Sequence, residues 1–265
     1  MTEIKDTVAL SSQWMAAVRA IENQRPNGLF SDPIAAQLAG QEIIDKIAPS
    51  AQEYEDKGAP IVVIRTRFFD DFLMSVASSI RQVVILGAGM DTRAFRLSWF
   101  PNTHLYELEQ PEVLKFKASR LGDIEAKCYR HPIEVDLREP WEDLLLAKGY
   151  QPTRPSVWLL EGLLYYLTDK KVSELLTTIT ELSSPGSWLG ADLINTEFLG
   201  SSDTLSQHWK FGCDEPEDFF SNYDWQADVI QPGEEGANFG RYTAKVYPRN
   251  VTGIQRGFFV KAKYS

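Results

Sequence analysis

The sequence predicts an α/β chain folded around a doubly wound parallel sheet, on three observations. Residues 83–86, Val-Val-Ile-Leu, form a continuous apolar, largely β-branched run, as in a strand covered on both faces. Gly87 and Gly89 follow at once, where a sharp strand-to-helix turn favours residues without a Cβ. Downstream, apolar runs alternate with helical segments, mostly ten residues or longer, the pattern of βαβ units rather than of hairpins.

At 265 residues the chain can form one domain with a sizeable core. We expect residues 1–80 to form an N-terminal helical cap, and 81–265 the core, with an insert at about 195–240. Val8, Leu10, Trp14, Ala17, Val18 and Ile21 recur close to every 3.6 residues, which predicts an amphipathic helix over 6–23. The break NQRPNG ends it. Asp32 as a cap ahead of Pro33 opens a second helix that reaches about Ala39. The segment QEIIDKIA predicts a third helix, followed by an exposed loop over PSAQEYEDKGAP. From Ile61 to Ile80, apolar residues at Ile61, Ile64, Phe68, Phe72 and Val76 predict a long buried helix carrying Arg65 and Arg67. On pattern alone, each arginine either faces solvent or pairs with Asp70 or Asp71.

After the glycine turn, Asp91 or Thr92 can cap a helix, and 103–109 alternates as a second strand. Pro111 opens a helix to about Leu121, and 128–137 predicts a third strand ending at Asp136. A helix over 141–148 and a buried strand over 155–160 come next, the strand closed by Glu161. A carboxylate there needs a polar partner, because burying it unpaired is expensive. A helix over 168–182, a strand over 187–194 and a terminal strand over 257–264 complete the pattern.

The formal net charge of −10, with no stripe of Lys or Arg, argues against nucleic acid as a partner. The two cysteines, Cys128 and Cys213, and a start that lacks the form of a signal peptide lead us to expect a cytoplasmic chain. The most apolar run, 157–167, is too short to span a bilayer and contains Glu161, so no membrane association is expected. No Cys/His cluster has metal-ligand spacing, and no metal is expected.

Two ligand classes use such a glycine turn: dinucleotides and S-adenosylmethionine (SAM). Thr92 occupies the third glycine position of the dinucleotide pattern, and Asp91 lies where a pyrophosphate would come. Both departures favour SAM. Glu107 and Glu109 lie 20 residues beyond Gly87 and Gly89, the distance at which such sheets place a ribose-binding carboxylate. A surface glutamate at a strand end is the competing reading for both. Among the three histidines, His208 is the candidate general base, and His104 and His131 read as structural. The aromatics Trp209, Phe211, Phe219, Phe220, Tyr223 and Trp225 read as packing of a helical cap or as the wall of an apolar acceptor pocket. The acidic stretch DEPED beside them disfavours a strongly anionic substrate.

Seven stretches extend the pattern: VRAIE, LFSDPIA, VIRTRFFDDFL, VVILGAGMDTRAFRL, LYELEQPEVLKFK, VDLRE with Trp141 after it, and VWLLEGLLYYL. In this order over residues 17–167, with PRNVTGIQRGFFVKAKY near the end, the chain resembles the leucine carboxyl methyltransferase-like family of SAM-dependent O-methyltransferases. That resemblance implies the class I methyltransferase fold, a Rossmann-like seven-stranded sheet of order 3-2-1-4-5-7-6 roofed by extra N-terminal helices. It implies that Arg65 holds the methionine carboxylate of SAM with Arg19 as a second basic partner, and that Gly87 and Gly89 form the cofactor loop. It places Glu109 at the ribose, where many members have Asp, and Asp136 and Leu137 at the adenine. Glu161 falls near the methionine ammonium, and Tyr166 near the acceptor, with Tyr165 taking that place under a one-residue shift. The implied partner is a small-molecule acceptor of secondary metabolism, methylated on a carboxyl or hydroxyl oxygen, with a protein C-terminal carboxylate or a non-catalytic SAM-binding scaffold as the alternatives and a nicotinamide-dependent oxidoreductase behind them. The expected state is a monomer or homodimer.

Overall fold

The computed structural model describes residues 7–200 and 205–265, so position 6, the side chain of Val8 and residues 201–204 lie outside what is described. Four helices come first: α1 (Thr7–Asn23), α2 (Ala35–Ala39), α3 (Gln41–Asp56) and α4 (Ile61–Val76). Asp32 Oδ1 accepts from Ala35 N at 3.2 Å, but the helix starts at residue 35 with Ile34 at its N-cap, so Asp32 and Pro33 precede the helix instead of capping and opening it. The loop expected after QEIIDKIA is helix instead, because α3 runs through Pro49 to Asp56. Its polar residues form a solvated helical face, with Gln52 bonded to Asp56 at 2.8 Å and Lys57 to Glu53 at 2.6 Å, both i,i+4 pairs. Conversely α4 stops at Val76, four residues before Ile80.

The core then alternates as β1 (Gln82–Leu86), α5 (Arg93–Arg96), β2 (His104–Glu109), α6 (Pro111–Leu121), β3 (Tyr129–Glu134), α7 (Glu142–Ala147), β4 (Ser156–Leu160), α8 (Asp169–Glu181) and β5 (Trp188–Ile194). The chain closes with α9 (Pro216–Ser221), β6 (Trp225–Ile230) and β7 (Gly257–Tyr264). The sheet order is β3-β2-β1-β4-β5-β7-β6, the order implied by the resemblance. β1 to β5 pair in parallel, and β7 runs antiparallel to both β5 and β6. β6 lies inside the segment expected as an insert; its alternation W-Q-A-D-V is too short to stand out beside a run of aromatics.

Two apolar layers enclose the sheet. One packs α1, α2 and α4 against Val83, Ile85, Val157 and Leu159; the other packs α8 and Trp141 against Val84, Leu86, Trp158 and Leu160. Phe211, Phe220 and Trp225 are buried in the second layer, with Phe219 and Tyr223 packed against it. Trp209 packs on the Tyr165 ring, 5.0 Å between centroids. Those aromatics are therefore packing, and none of the six lines the cavity described below. Glu107 is not a surface glutamate either: it is fully buried, its Oε2 accepting from Lys117 Nζ at 2.8 Å and Arg130 Nη2 at 2.7 Å.

Candidate active site

A parallel sheet presents a crevice beyond the carboxyl ends of its strands, at the point where strand order reverses. Here that point lies between β1 and β4, and a cavity of about 300 Å³ opens there. All ten residues singled out from the sequence line it: Arg19, Arg65, Gly87, Gly89, Glu109, Asp136, Leu137, Glu161, Tyr166 and His208. Four of them follow or end successive strands, with Gly87 after β1, Glu109 at the end of β2, Asp136 after β3 and Glu161 after β4.

The turn after β1 is tight for a specific reason. Gly87 and Gly89 have φ of 67° and 43°, and a Cβ on Gly89 would meet Ser12 Cβ of α1 at 2.7 Å. Only glycine lets α1 close this near to the loop. Glu109 bends back on itself, its Oε2 accepting from Gly89 N at 2.8 Å and its Oε1 from Gln110 N at 2.7 Å. The extra methylene relative to Asp is taken up in that retraction. Burial pushes this carboxyl above its ordinary range, against the pull of the two backbone N–H groups.

Glu161 has the polar partners its burial demands. Arg65 Nε donates to its Oε1 at 3.0 Å, and Arg93 Nη2 lies 2.7 Å from its Oε2. The second contact is Coulombic: it lacks hydrogen-bond geometry, so the buried Oε2 keeps an unmet acceptor lobe. Burial raises this carboxyl, but Arg93 and Arg65 outweigh burial and hold it below the usual range. Arg65 also donates through Nη1 to Asp192 Oδ2 at 2.7 Å and to Tyr165 Oη at 3.1 Å. Of its nitrogens, Nη2 alone has no acceptor among the described residues. Tyr165 is thereby locked into the arginine network, whereas Tyr166 lines the cavity.

Several residues of the network were not singled out in the sequence. Arg93 bonds Asp70 and pairs with Asp91 and Glu161, and Arg96 grips both oxygens of Asp70 at 2.6 and 2.7 Å. Arg19 bonds Asp32 Oδ2 at 2.9 Å and the Met90 carbonyl at 2.6 Å. Burial raises Asp91, yet Arg93, with Lys117 and Arg96, holds it down at about 2. The only sequence signal was the motif MDTR itself; nothing local says that its charges are buried.

Four guanidinium groups (Arg19, Arg65, Arg93, Arg96) thus face five carboxylates (Asp32, Asp70, Asp91, Glu161, Asp192). One negative charge is left over, and the unmet lobe of Glu161 is an acceptor for a cation. A ligand of net positive charge such as SAM, with its sulfonium and ammonium against one carboxylate, fits this set; a pyrophosphate beside ionised Asp91 does not. Asp136 is clamped by the side chain and backbone N–H of Arg138, the largest reason that its carboxyl sits low. This pair is partly exposed, so a ligand amine can compete for it cheaply. His104 and His131 lie elsewhere, on β2 and β3, with Nδ1 and Nε2 3.0 Å apart.

A sequence model of the leucine carboxyl methyltransferase family matches residues 12–180. The chain belongs to the leucine carboxyl methyltransferase family. It is 37% identical to a candidate S-adenosyl-L-methionine-dependent methyltransferase of Streptomyces avermitilis, the alignment covering 91% of this chain and 93% of that one. A relative of the same description from Frankia alni is 38% identical, covering 91% and 92%. Among solved structures, a DUF574 family protein from Streptomyces avermitilis superposes with a TM-score of 0.58 at 15% identity, covering 94% and 97% of the two chains. A methyltransferase-like structure from Thermobifida fusca gives 0.56 at 16% identity, covering 96% and 94%. At such identities these two establish the fold alone, and it is the class I methyltransferase fold. For this leucine carboxyl methyltransferase family member, SAM is the cofactor and methyl transfer the reaction class.

Proposed function

We propose that this family member is an O-methyltransferase acting on a carboxyl or hydroxyl oxygen of a small, largely apolar metabolite of secondary metabolism, and that it works in the cytoplasm as a monomer or homodimer. The observation behind this reading is that Tyr166 and His208, the two residues assigned to the acceptor side, open into the same cavity as the cofactor-loop glycines. Bound SAM supplies an activated methyl group on a sulfonium. The chain's part is placement. Gly87 and Gly89 give close backbone approach, Glu109 accepts from ribose hydroxyls, Asp136 and Leu137 face the adenine, and Arg65 Nη2 and Glu161 Oε2 meet the amino-acid end. Alignment of this kind supplies roughly 7 to 11 kcal/mol of rate enhancement. A carboxylate acceptor is already ionised near neutral pH and needs no base. A hydroxyl acceptor gives His208 the role of base and Tyr166 that of orienting donor.

No helix among the described residues is long and apolar enough to cross a membrane, and no His, Cys, Asp or Glu group among them is arranged to hold a metal. The reading is tested by calorimetric titration of SAM, and separately NAD, into the wild type and Asp136→Ala. Micromolar SAM binding, weakened by about 1.5 to 3 kcal/mol in the variant as for a lost hydrogen bond to a charged group, supports it. Heat from NAD and none from SAM sinks it.

A further inference from the structure

Six lysine and arginine residues line the cavity: Arg19, Arg65, Arg93, Arg96, Arg138 and Lys210. The five arginines are each paired to a carboxylate, at Asp32, at Asp192 and Glu161, at Asp70 and Asp91, at Asp70, and at Asp136. Among the described residues no carboxylate pairs with the Lys210 ammonium. In a chain with a net charge of −10, a cation left without an acid at a cavity is notable, because acids to pair it are plentiful.

The backbone that bears Lys210 is not a loose loop. Lys210 N donates to the Tyr165 carbonyl at 2.7 Å, and the neighbouring Trp209 ring packs on the Tyr165 ring. Tyr165 in turn bonds Arg65. The Lys210 backbone is therefore fixed at a cavity that Tyr166 and His208 also line, and binding an anion costs only the freedom of its own exposed side chain. The acidic stretch 214–218 does not compete for it. Asp214 bonds Thr196, Glu217 grips Arg249 with both oxygens, and none of the five residues lines the cavity.

We propose that Lys210 is the anchor for a carboxylate on a molecule bound in this cavity. The inference rests on the methyltransferase reading and extends it to the chemistry of the ligand. A monoanion suits the site better than a phosphate, because the buried network already holds one carboxylate more than it has guanidiniums, and a dianion would be repelled. The carboxylate belongs either to an acid group on the acceptor or to the methionine end of the cofactor. On the acceptor, this group is an anchor distinct from the oxygen that takes the methyl, since an ammonium bonded to the attacking oxygen would stabilise it before reaction and slow transfer.

The test uses Lys210→Met and Lys210→Arg in the full chain. Calorimetry measures S-adenosylhomocysteine and 5′-methylthioadenosine, which lacks the amino-acid end. A panel of small aryl carboxylic acids and their primary amides is then titrated into the S-adenosylhomocysteine complex. If the cofactor supplies the carboxylate, Lys210→Met weakens S-adenosylhomocysteine by about tenfold, leaves methylthioadenosine unchanged, and Lys210→Arg restores the loss. If the acceptor supplies it, cofactor affinity stays put, the wild type prefers acids over amides, and Lys210→Met loses that preference while Lys210→Arg keeps it. Unchanged cofactor affinity together with no acid-over-amide preference in the wild type, or a preference that survives in Lys210→Met, overturns the proposal. Wild-type protein that binds no S-adenosylhomocysteine at all fails the methyltransferase reading itself, a result seen before any variant is made.

Discussion

Arg65 Nη1 lies 2.7 Å from Asp192 Oδ2, and this contact joins α4 of the helical layer to β5. Through Nε the same guanidinium reaches Glu161, so one side chain bridges two buried acids. Burial opposes its charge, and Asp192, Tyr165 and Glu161 together more than restore it, leaving the guanidinium well above its ordinary value.

Arg65→Ala should therefore act first on the fold. Removing one partner of a buried pair leaves uncompensated charge and costs about 3 to 5 kcal/mol. Urea unfolding should show that loss. Arg65→Lys should recover only part of it, because an ammonium cannot reproduce the planar fork that serves Glu161 and Asp192 at once. A full recovery would mean that charge alone is what the site requires.

Gly89→Ala should weaken S-adenosylhomocysteine binding. A left-handed φ costs an alanine about 1 to 2 kcal/mol, and the new Cβ also presses on Ser12 of α1. Adding Ser12→Gly should relieve the clash and return part of the affinity, the φ penalty remaining. Equal affinity in the single and double variants would remove the contact with α1 from the account.

Glu109 gives a pH dependence whose sign can be worked out. Its folded carboxyl titrates above its ordinary 4.5, so between that value and the raised one the folded protein binds the extra proton. At this one group, folding is disfavoured as pH rises through that window. Ribose hydroxyls bind the ionised form, so S-adenosylhomocysteine affinity should move the other way, rising with pH through the same window. Calorimetry at a series of pH values above 4.5 should show the slope in wild type and its loss in Glu109→Gln; the same slope in both would assign it to another group.

His208→Gln separates the two acceptor chemistries. With a hydroxyl acceptor, losing the base should lower kcat by roughly 10²-fold or more; with a carboxylate acceptor, kcat should hold. A large loss with a carboxylate acceptor would show that His208 positions the acceptor rather than taking its proton.

Asp91 and Glu161 are held low by Arg93, so their contribution to stability is complete above their unfolded values and is lost as pH falls through the folded ones. For Asp91 that window runs from 3.8 down to about 2. Acid unfolding of Asp91→Asn should consequently be less steep there than in wild type, as followed by circular dichroism.

The sequence by itself determined the parts that are local. An apolar run ending in Gly-x-Gly defines β1 and its turn, and the period of 3.6 defines α1 and α4. The spacing from Gly89 to Glu109 places a carboxylate where the next strand ends. The ordered motifs contain nine of the ten candidate residues that line one cavity, and His208, outside them, was singled out by its chemistry alone. Local signals failed where a neighbour far along the chain decides the outcome. The polar residues after Pro49 became helix, with Glu55 in its last turn gripped by Arg241, and 225–230 became a strand because β7 offers it an antiparallel edge. Only the tertiary structure decided how the charges pair. Arg65 and Asp192 lie 127 residues apart, Arg19 and Met90 71 apart, and no pattern along the chain records which acid each arginine will meet. The physical reason is that a buried charge takes whichever partner the packing brings within hydrogen-bond reach, and that is settled when helices and sheet close on one another. Among the described residues, that closure also leaves Lys210 as a cavity cation that no carboxylate pairs.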